Sequence, residues 1–312
     1  MAQTEYVQTQ IEQMVRRALA HATAGTTDST DEIYRLPVES YSPKSWEEEM
    51  NAIFRRLPLM LALSCELPEA GCYKAMKVLD IPVLIVRGED MRIRAFINAC
   101  THRGRAITQT HDEKGKLKAF SCPYHAWRFG TDGRLLTIAD QRKFGEIDKG
   151  LLGLKELHCE ERVGFVWVCI TTGRRFDIDE YLGDMLHELA GLEADKWFLH
   201  GTARLDSANW KITHDGYLES YHIPFLHRTT LYEFWNRESS TSVSLYDHFG
   251  PLPCGPHQRM GGNAWGNDPA LMLKMKDVPP SEYTDKHFHA VRTLFPHISI
   301  SADKHGGMVS QM

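Results

Sequence analysis

Two short pairs, Cys100-Thr-His102 and Cys122-Pro-Tyr-His125, stand 19 residues apart in this chain of 312 residues and constrain it more than any other feature. Each pair mixes one thiolate donor with one imidazole donor. Tight turns following strands present both side chains of such a pair to one centre, and Gly104 and Pro123 supply the turn chemistry. Two cysteines and two histidines can make a tetrahedral zinc site. Zinc sites, however, group Cys with Cys and His with His. A 2Fe-2S cluster with thiolates on one iron and imidazoles on the other takes the mixture found here.

The flanking sequence predicts the frame. Runs at Tyr73–Leu79, Pro82–Arg87, Met91–Asn98 and Gly164–Ile170 are β-rich and are separated by turn signals, which predicts an all-β domain over 41–170. Ahead of it, Val7, Ile11, Met14, Val15 and Leu19 recur at helical spacing before a polar stretch, giving a helix and linker over 1–40. A second helix is expected over Trp46–Leu57 with Ser45 as its N-cap. Helical spacing returns at Ile178, Tyr181, Leu182, Met185, Leu186 and Leu189 and opens a mixed domain over 171–312. Within it, a Gly- and Pro-rich region around a Met-rich helix (271–275) predicts long loops, and the last residues predict a hairpin that begins at His297.

Composition excludes several classes. A charged share of 25% and a formal charge of -5 describe a soluble globular protein with no positive field to attract nucleic acid or anionic lipid. The longest apolar runs, such as Val163–Ile170, fall far short of the roughly 18 residues of a membrane span. No basic-then-apolar leader is visible, and Cys65, Cys72, Cys159, Cys169 and Cys254 are scattered singly. The expectation is a reduced, cytoplasmic protein with no membrane or nucleic-acid partner.

A second group lies further along. Trp210, Thr213, Tyr217 and Tyr221 predict a helix over Ser207–His222, which Pro224 ends by pushing Ile223 away from helical geometry. On that helix Asp215, Glu219 and His222 share one face. His227, beyond the break, can bring a second imidazole beside His222. Taken alone, the segment is better explained as a solvated acidic face with a satisfied histidine.

It does not stand alone. Cys100-Thr-His102-Arg103-Gly104 and Cys122-Pro123-Tyr124-His125-Ala126-Trp127 resemble the two ligand loops of the Rieske domain in Rieske non-haem iron ring-hydroxylating oxygenases. Asn209-Trp-Lys and Glu219-Ser-Tyr-His222-Ile-Pro-Phe-Leu-His227 resemble the mononuclear-iron segment of the same family's α (terminal oxygenase) subunit. The resemblance implies an α+β fold: an N-terminal all-β Rieske domain, then a catalytic domain of antiparallel sheet plus helices (helix-grip or START-like). It implies a 2Fe-2S cluster on Cys100, His102, Cys122 and His125. It also implies mononuclear Fe(II) on His222 and His227, completed in the family by a carboxylate. Glu219 matches the acid that bridges a Rieske histidine of one subunit to an iron-ligand histidine of the next; the family usually has Asp there, and Asp215 is a second candidate.

The third ligand is where the chain departs from the family, which places an acid on a helix far downstream. Only 85 residues follow His227, and Asp247, Asp285 and Asp303 lie in no segment like that helix. The catalytic domain is therefore expected to be truncated at its C-terminus, with the cluster held and mononuclear iron bound poorly. The family activity is hydroxylation of an aromatic or other small organic substrate with O2, fed by NAD(P)H through a reductase and sometimes a ferredoxin, in an α3 or α3β3 trimer. Monooxygenation or demethylation of O-methyl, N-methyl or quaternary ammonium substrates competes, and Glu219 leans toward it. A Rieske electron carrier is the rival from another class, but it leaves Glu219, His222 and His227 unexplained. His214, His248, His257, His287, His289, His297 and His305 have no ligand spacing, and Trp127 reads as core packing ahead of any tuning of the cluster.

Overall fold

The computed structural model describes residues 2–26, 31–108, 113–219, 222–229, 245–249, 256–263, 273–283, 288–303 and 306–312. They form two compact units: Pro43–Ile178 with Ala194–Thr202, and Met1–Ser42 with Asp179–Glu193 and Ala203–Met312.

The unit built on Pro43–Ile178 is β-rich throughout. Its strands are β1 (Leu59–Leu63), β2 (Cys72–Val78), β3 (Ile81–Arg87), β4 (Ile93–Ile97), β5 (Glu113–Lys116), β6 (Ala119–Ser121), β7 (Arg128–Gly130), β8 (Leu135–Thr137), β9 (Glu156–Leu157), β10 (Cys159–Arg162) and β11 (Phe165–Val168). They form three antiparallel sheets ordered β1-β11-β10, β5-β2-β3-β4-β9 and β6-β7-β8. Val83, Leu84, Ile85 and Val86 are all fully buried, so β3 is a continuous apolar run covered on both faces rather than an alternating one. Leu84 and Val86 share one apolar core with Phe96, Phe120, Phe129, Cys100, Cys122 and Trp127, which places the first Cys/His group inside it.

Two ionic links fasten the sheets. The Arg87 guanidinium donates to both Glu161 oxygens at 2.8 Å and to the Leu67 carbonyl at 2.6 Å, joining β3 to β10. Burial pushes the Glu66 carboxyl up, but Lys74, Lys114 and the Leu63 N–H outweigh it and hold it below its ordinary range. The β10–β11 turn has Val163 at φ 45° and Gly164 at φ 88°, the doubly left-handed pair of a tight hairpin. A Cβ on Gly164 would lie 2.4 Å from the Ala194 carbonyl carbon, so only glycine fits there.

The helix expected over Trp46–Leu57 is instead α-helical over Pro43–Glu49, then a π-helical turn over Met50–Phe54. Pro43 is its first residue, where a missing N–H has no cost, so Ser45 lies inside the helix and not at its cap.

The other unit centres on an antiparallel meander of β12 (Leu245–Phe249), β13 (His257–Asn263), β14 (Phe288–Leu294), β15 (Ile298–Asp303) and β16 (Gly306–Gln311). The N-terminal helix Ala2–Ala24 belongs to this unit, burying Met14, Val15 and Ala18 against Met275 and Tyr283. The single helical run expected from Ile178 is two helices, Ile178–Leu182 and Met185–Gly191, interrupted at Gly183 with φ 53°. Within this unit Glu188, 4% exposed, is ion-paired to Arg259 and Arg292. Residues 271 and 272 of the expected Met-rich helix lie outside the described residues; 274–277 form a 3-10 turn. Among the described residues no helix is long and apolar enough to cross a membrane.

Candidate metal centres

The two Cys/His segments form loops with the same backbone frame. The Cys100 N–H donates to the Arg105 carbonyl and the Gly104 N–H to the Cys100 carbonyl, both at 2.8 Å. The Cys122 N–H donates to the Trp127 carbonyl at 2.8 Å and the Ala126 N–H to the Cys122 carbonyl at 3.0 Å, the same pattern at the same offsets. In each loop the residue four beyond the cysteine is left-handed, Gly104 at φ 72° and Ala126 at φ 53°. The first loop is closed at its base by Asn98. Its fully buried side chain accepts from the Ile107 and Thr108 N–H groups and donates to Thr108.

The loops present the four donors as two pairs. Cys100 and Cys122 are each 3% exposed. Burial raises the Cys100 thiol, helped by the Cys122 thiol, while the His102 and Arg103 backbone N–H groups, pointing at its sulfur, lower it. The His102 and His125 ring centroids are 4.8 Å apart. Burial lowers the His102 imidazole, helped by His125 and Arg103. The Nδ1 atoms of His102 and His125 are both buried without a hydrogen-bond partner, and so is the Trp127 indole nitrogen. Buried polar atoms are normally satisfied, so two orphaned imidazole nitrogens beside two buried thiols fit a metal group that would occupy them. Among the described residues no three His, Cys, Asp or Glu are grouped to hold one ion. The donors stand as a thiol pair and an imidazole pair, which suits a two-iron cluster better than tetrahedral zinc.

Aromatic rings surround the imidazoles. Trp127 stacks on His102 at 4.8 Å with 7° between planes, Phe144 meets both edge-on, and the exposed Tyr124 stacks on His125 at 3.7 Å. Asn98 and Phe144 escape sequence reasoning because neither carries a spacing signal.

The second group is shaped differently from expectation. The helix runs only over Trp210–Tyr217, capped by Asn209, whose side chain accepts from the Lys211 N–H at 3.1 Å. A short helix, Ile223–Leu226, follows. Asp215, Glu219 and His222 therefore do not share one helix face. Gly216 weakens the last turn, and Pro224 sits in the first turn of the new helix, where proline is tolerated, instead of ending the old one. Tyr221 lies outside the described residues.

What the break brings together is Glu219 and His222. The Glu219 carboxylate accepts from the His222 backbone N–H at 3.0 Å and also bonds Nδ1 of the same residue. His227 packs its ring 5.3 Å from that of His222. Asp215 is exposed, and no contact joins it to this group among the described residues. A carboxylate on Nδ1 leaves Nε2 of His222 for a metal, the usual way an imidazole ligand is oriented. Of the candidate third ligands, Asp285 lies outside the described residues, and Asp247 and Asp303 are on β12 and β15.

Comparisons with known proteins match the two regions that contain these groups. The family described as Rieske [2Fe-2S] domain matches residues 58–156, and the family described as ring hydroxylating alpha subunit (catalytic domain) matches 194–312. The glycine betaine monooxygenase oxygenase subunit of Chromohalobacter salexigens is 34% identical over 215 residues, 66% of this chain and 47% of that protein. The anthranilate 1,2-dioxygenase large subunit of Acinetobacter baylyi is 28% identical over 207 residues, 63% of this chain and 43% of that protein. The chain thus spans about half the length of the curated relatives it matches. Naphthalene 1,2-dioxygenase from Rhodococcus sp., solved with indole, has the same fold with a TM-score of 0.70 at 20% identity, covering 96% of this chain and 72% of that one.

Proposed function

The chain belongs to the Rieske oxygenase alpha subunits, and on that premise we propose that it works as the terminal oxygenase component of a multicomponent oxygenase. Electrons from NAD(P)H reach it through a reductase, directly or by way of a ferredoxin, and O2 is used to hydroxylate an aromatic or other small organic substrate. Cys100, His102, Cys122 and His125 hold a Rieske 2Fe-2S cluster, and His222 and His227 hold a mononuclear ferrous ion. When bound, the two groups supply electron storage and oxygen activation respectively.

The chain's own residues supply the rest. The matched loops present a pair of thiols and a pair of Nδ1 atoms and bury them away from water. Glu219 fixes the tautomer and plane of His222 and holds a negative charge against its Nδ1–H, which makes it the residue through which a Rieske histidine of a neighbouring subunit can be joined to the iron. That route calls for a head-to-tail trimer, α3 or α3β3, in the cytoplasm. The observation that carries the reading is the pair of orphaned Nδ1 atoms beside two buried thiols in loops of identical frame.

The test is anaerobic loading of the chain with ferrous iron and sulfide, followed by EPR of the dithionite-reduced protein. A Rieske-type spectrum is expected, and it should be lost in His102→Cys, which substitutes a thiolate for one imidazole. An all-cysteine type of spectrum in the unaltered chain refutes the assignment. A second reading, oxidation of a quaternary ammonium substrate, draws on Glu219 in place of the commoner Asp and on relatives named as glycine betaine and carnitine monooxygenase oxygenase subunits. Uncoupled O2 consumption on glycine betaine but coupled turnover on an aromatic acid would exclude it.

A further inference from the structure

The two imidazoles of the cluster site do not have the same surroundings. His102 lies flat against Trp127, 4.8 Å away with the planes 7° apart, and Trp127 is 3% exposed. Phe144, delivered by the 3-10 turn Gln141–Phe144, stands nearly perpendicular to both rings at 5.6 and 5.8 Å. His102 is thus held on its face by one ring and at its edge by another. His125 is stacked instead by Tyr124, which is 56% exposed.

We propose that Trp127 and Phe144 are positioning residues that clamp the His102 imidazole and cover it with apolar surface, making His102 and His125 unequal partners of the cluster. The proposal rests on the cluster assignment given above. Stacked and edge-to-face contacts are directional, so two rings meeting the imidazole on its face and at its edge favour one plane among the rotations open to it. Ligand orientation and solvent access are two of the levers that set a cluster's potential. A cluster on two thiolates and two neutral imidazoles gains a net negative charge on one-electron reduction, and an apolar wall disfavours that charge where water would stabilise it. The clamp therefore lowers the potential, and opening it raises the potential.

The unaltered chain and its W127F, W127L, F144L and Y124L variants are loaded anaerobically. Iron and sulfide content, the EPR spectrum and the midpoint potential of each are then measured. W127L and F144L are expected to raise the reduced-to-oxidised ratio at fixed ambient potential on the order of tenfold, about 59 mV for one electron, and to shift the g-values. W127F keeps a stacking ring and should stay with the unaltered protein; Y124L should move less than either. Unaltered potential and spectrum in both W127L and F144L at full iron and sulfide content overturn the clamp, as does W127F behaving like W127L. Should W127L fail to take up the cluster, F144L, whose ring is 37% exposed on a turn, decides alone. An unaltered chain that binds iron and sulfide without a Rieske-type spectrum removes the cluster assignment itself, and the clamp with it.

Discussion

Glu219 uses both carboxylate oxygens on one neighbour, Oε2 on the His222 backbone N–H and Oε1 on its Nδ1. Gln at this position keeps the shape but loses the charge and half of the acceptor capacity. Glu219→Gln is expected to slow oxidation of the reduced cluster by O2 in the presence of substrate by about 10–100-fold, with the cluster's spectrum unchanged. Stopped-flow absorbance checks this, and equal rates would take Glu219 out of the electron path. His257 is the opposite kind of histidine. It is fully buried, its Nε2 donates to the Tyr181 carbonyl at 2.9 Å and its Nδ1 accepts from the Phe295 N–H at 3.2 Å, and burial lowers its pKa to about 4. The unfolded chain, with an ordinary value of about 6.5, takes up this proton first as pH falls. Stability from this site is therefore complete above about 6.5 and is lost between there and about 4, amounting to about 3 kcal/mol at most. Urea midpoints at pH 7 and 4.5 should differ less in His257→Gln than in the unaltered chain; parallel differences would mean another group carries the acid sensitivity.

The ligand loops show at the scale of elements why the motif was readable. Donors two or three residues apart, presented by turns, leave a spacing signature, and the matched Cys-centred hydrogen bonds convert that signature into geometry. Left-handed positions within the loops differ in what they ask of the sequence. Nothing lies within 4 Å of a Cβ built on Gly104, so Gly104→Ala meets only backbone strain, on the order of 1 kcal/mol. Ala126 already bears that strain, and Ala126→Gly should relieve a similar amount. Opposite shifts in the denaturation midpoint of the loaded chain are expected, and shifts of the same sign would contradict the shared frame. The second group was less legible because helical periodicity in side-chain type continued past Tyr217 while the backbone did not. Proline is compatible with both the end of one helix and the first turn of the next, and only the folded chain distinguishes the two. Asn98 and Phe144 were invisible for a different reason: their roles depend on contacts made across the fold and not on any local pattern.

For the whole molecule, the chain contributes to two separate cores, and the metal-site residues belong unequally to them. Cys100, Cys122 and Trp127 are members of the apolar core that also contains Leu84, Val86, Phe120 and Phe129, so the proposed cluster site is part of what holds that unit together. The helix over Ala2–Ala24 reads locally as a helix joined by a linker to the β-rich domain, yet it packs on Met275 and Tyr283, a pairing that no periodicity could reveal. A ligand that binds only the folded state stabilises the unit it binds. Removing the cluster leaves two buried imidazole nitrogens and two thiols with no group to satisfy them, a cost confined to the Pro43–Ile178 unit. Hydrogen exchange read by mass spectrometry should therefore show faster exchange in peptides of β3, β4, β6 and β7 after cluster removal. Peptides of β14 and β15, whose Leu294, Ile298 and Ile300 are fully buried in the other unit, should keep their protection. Equal loss in both sets would mean that the two cores unfold as one cooperative body, because only then would the energy of the cluster be felt by strands that have no part in its site.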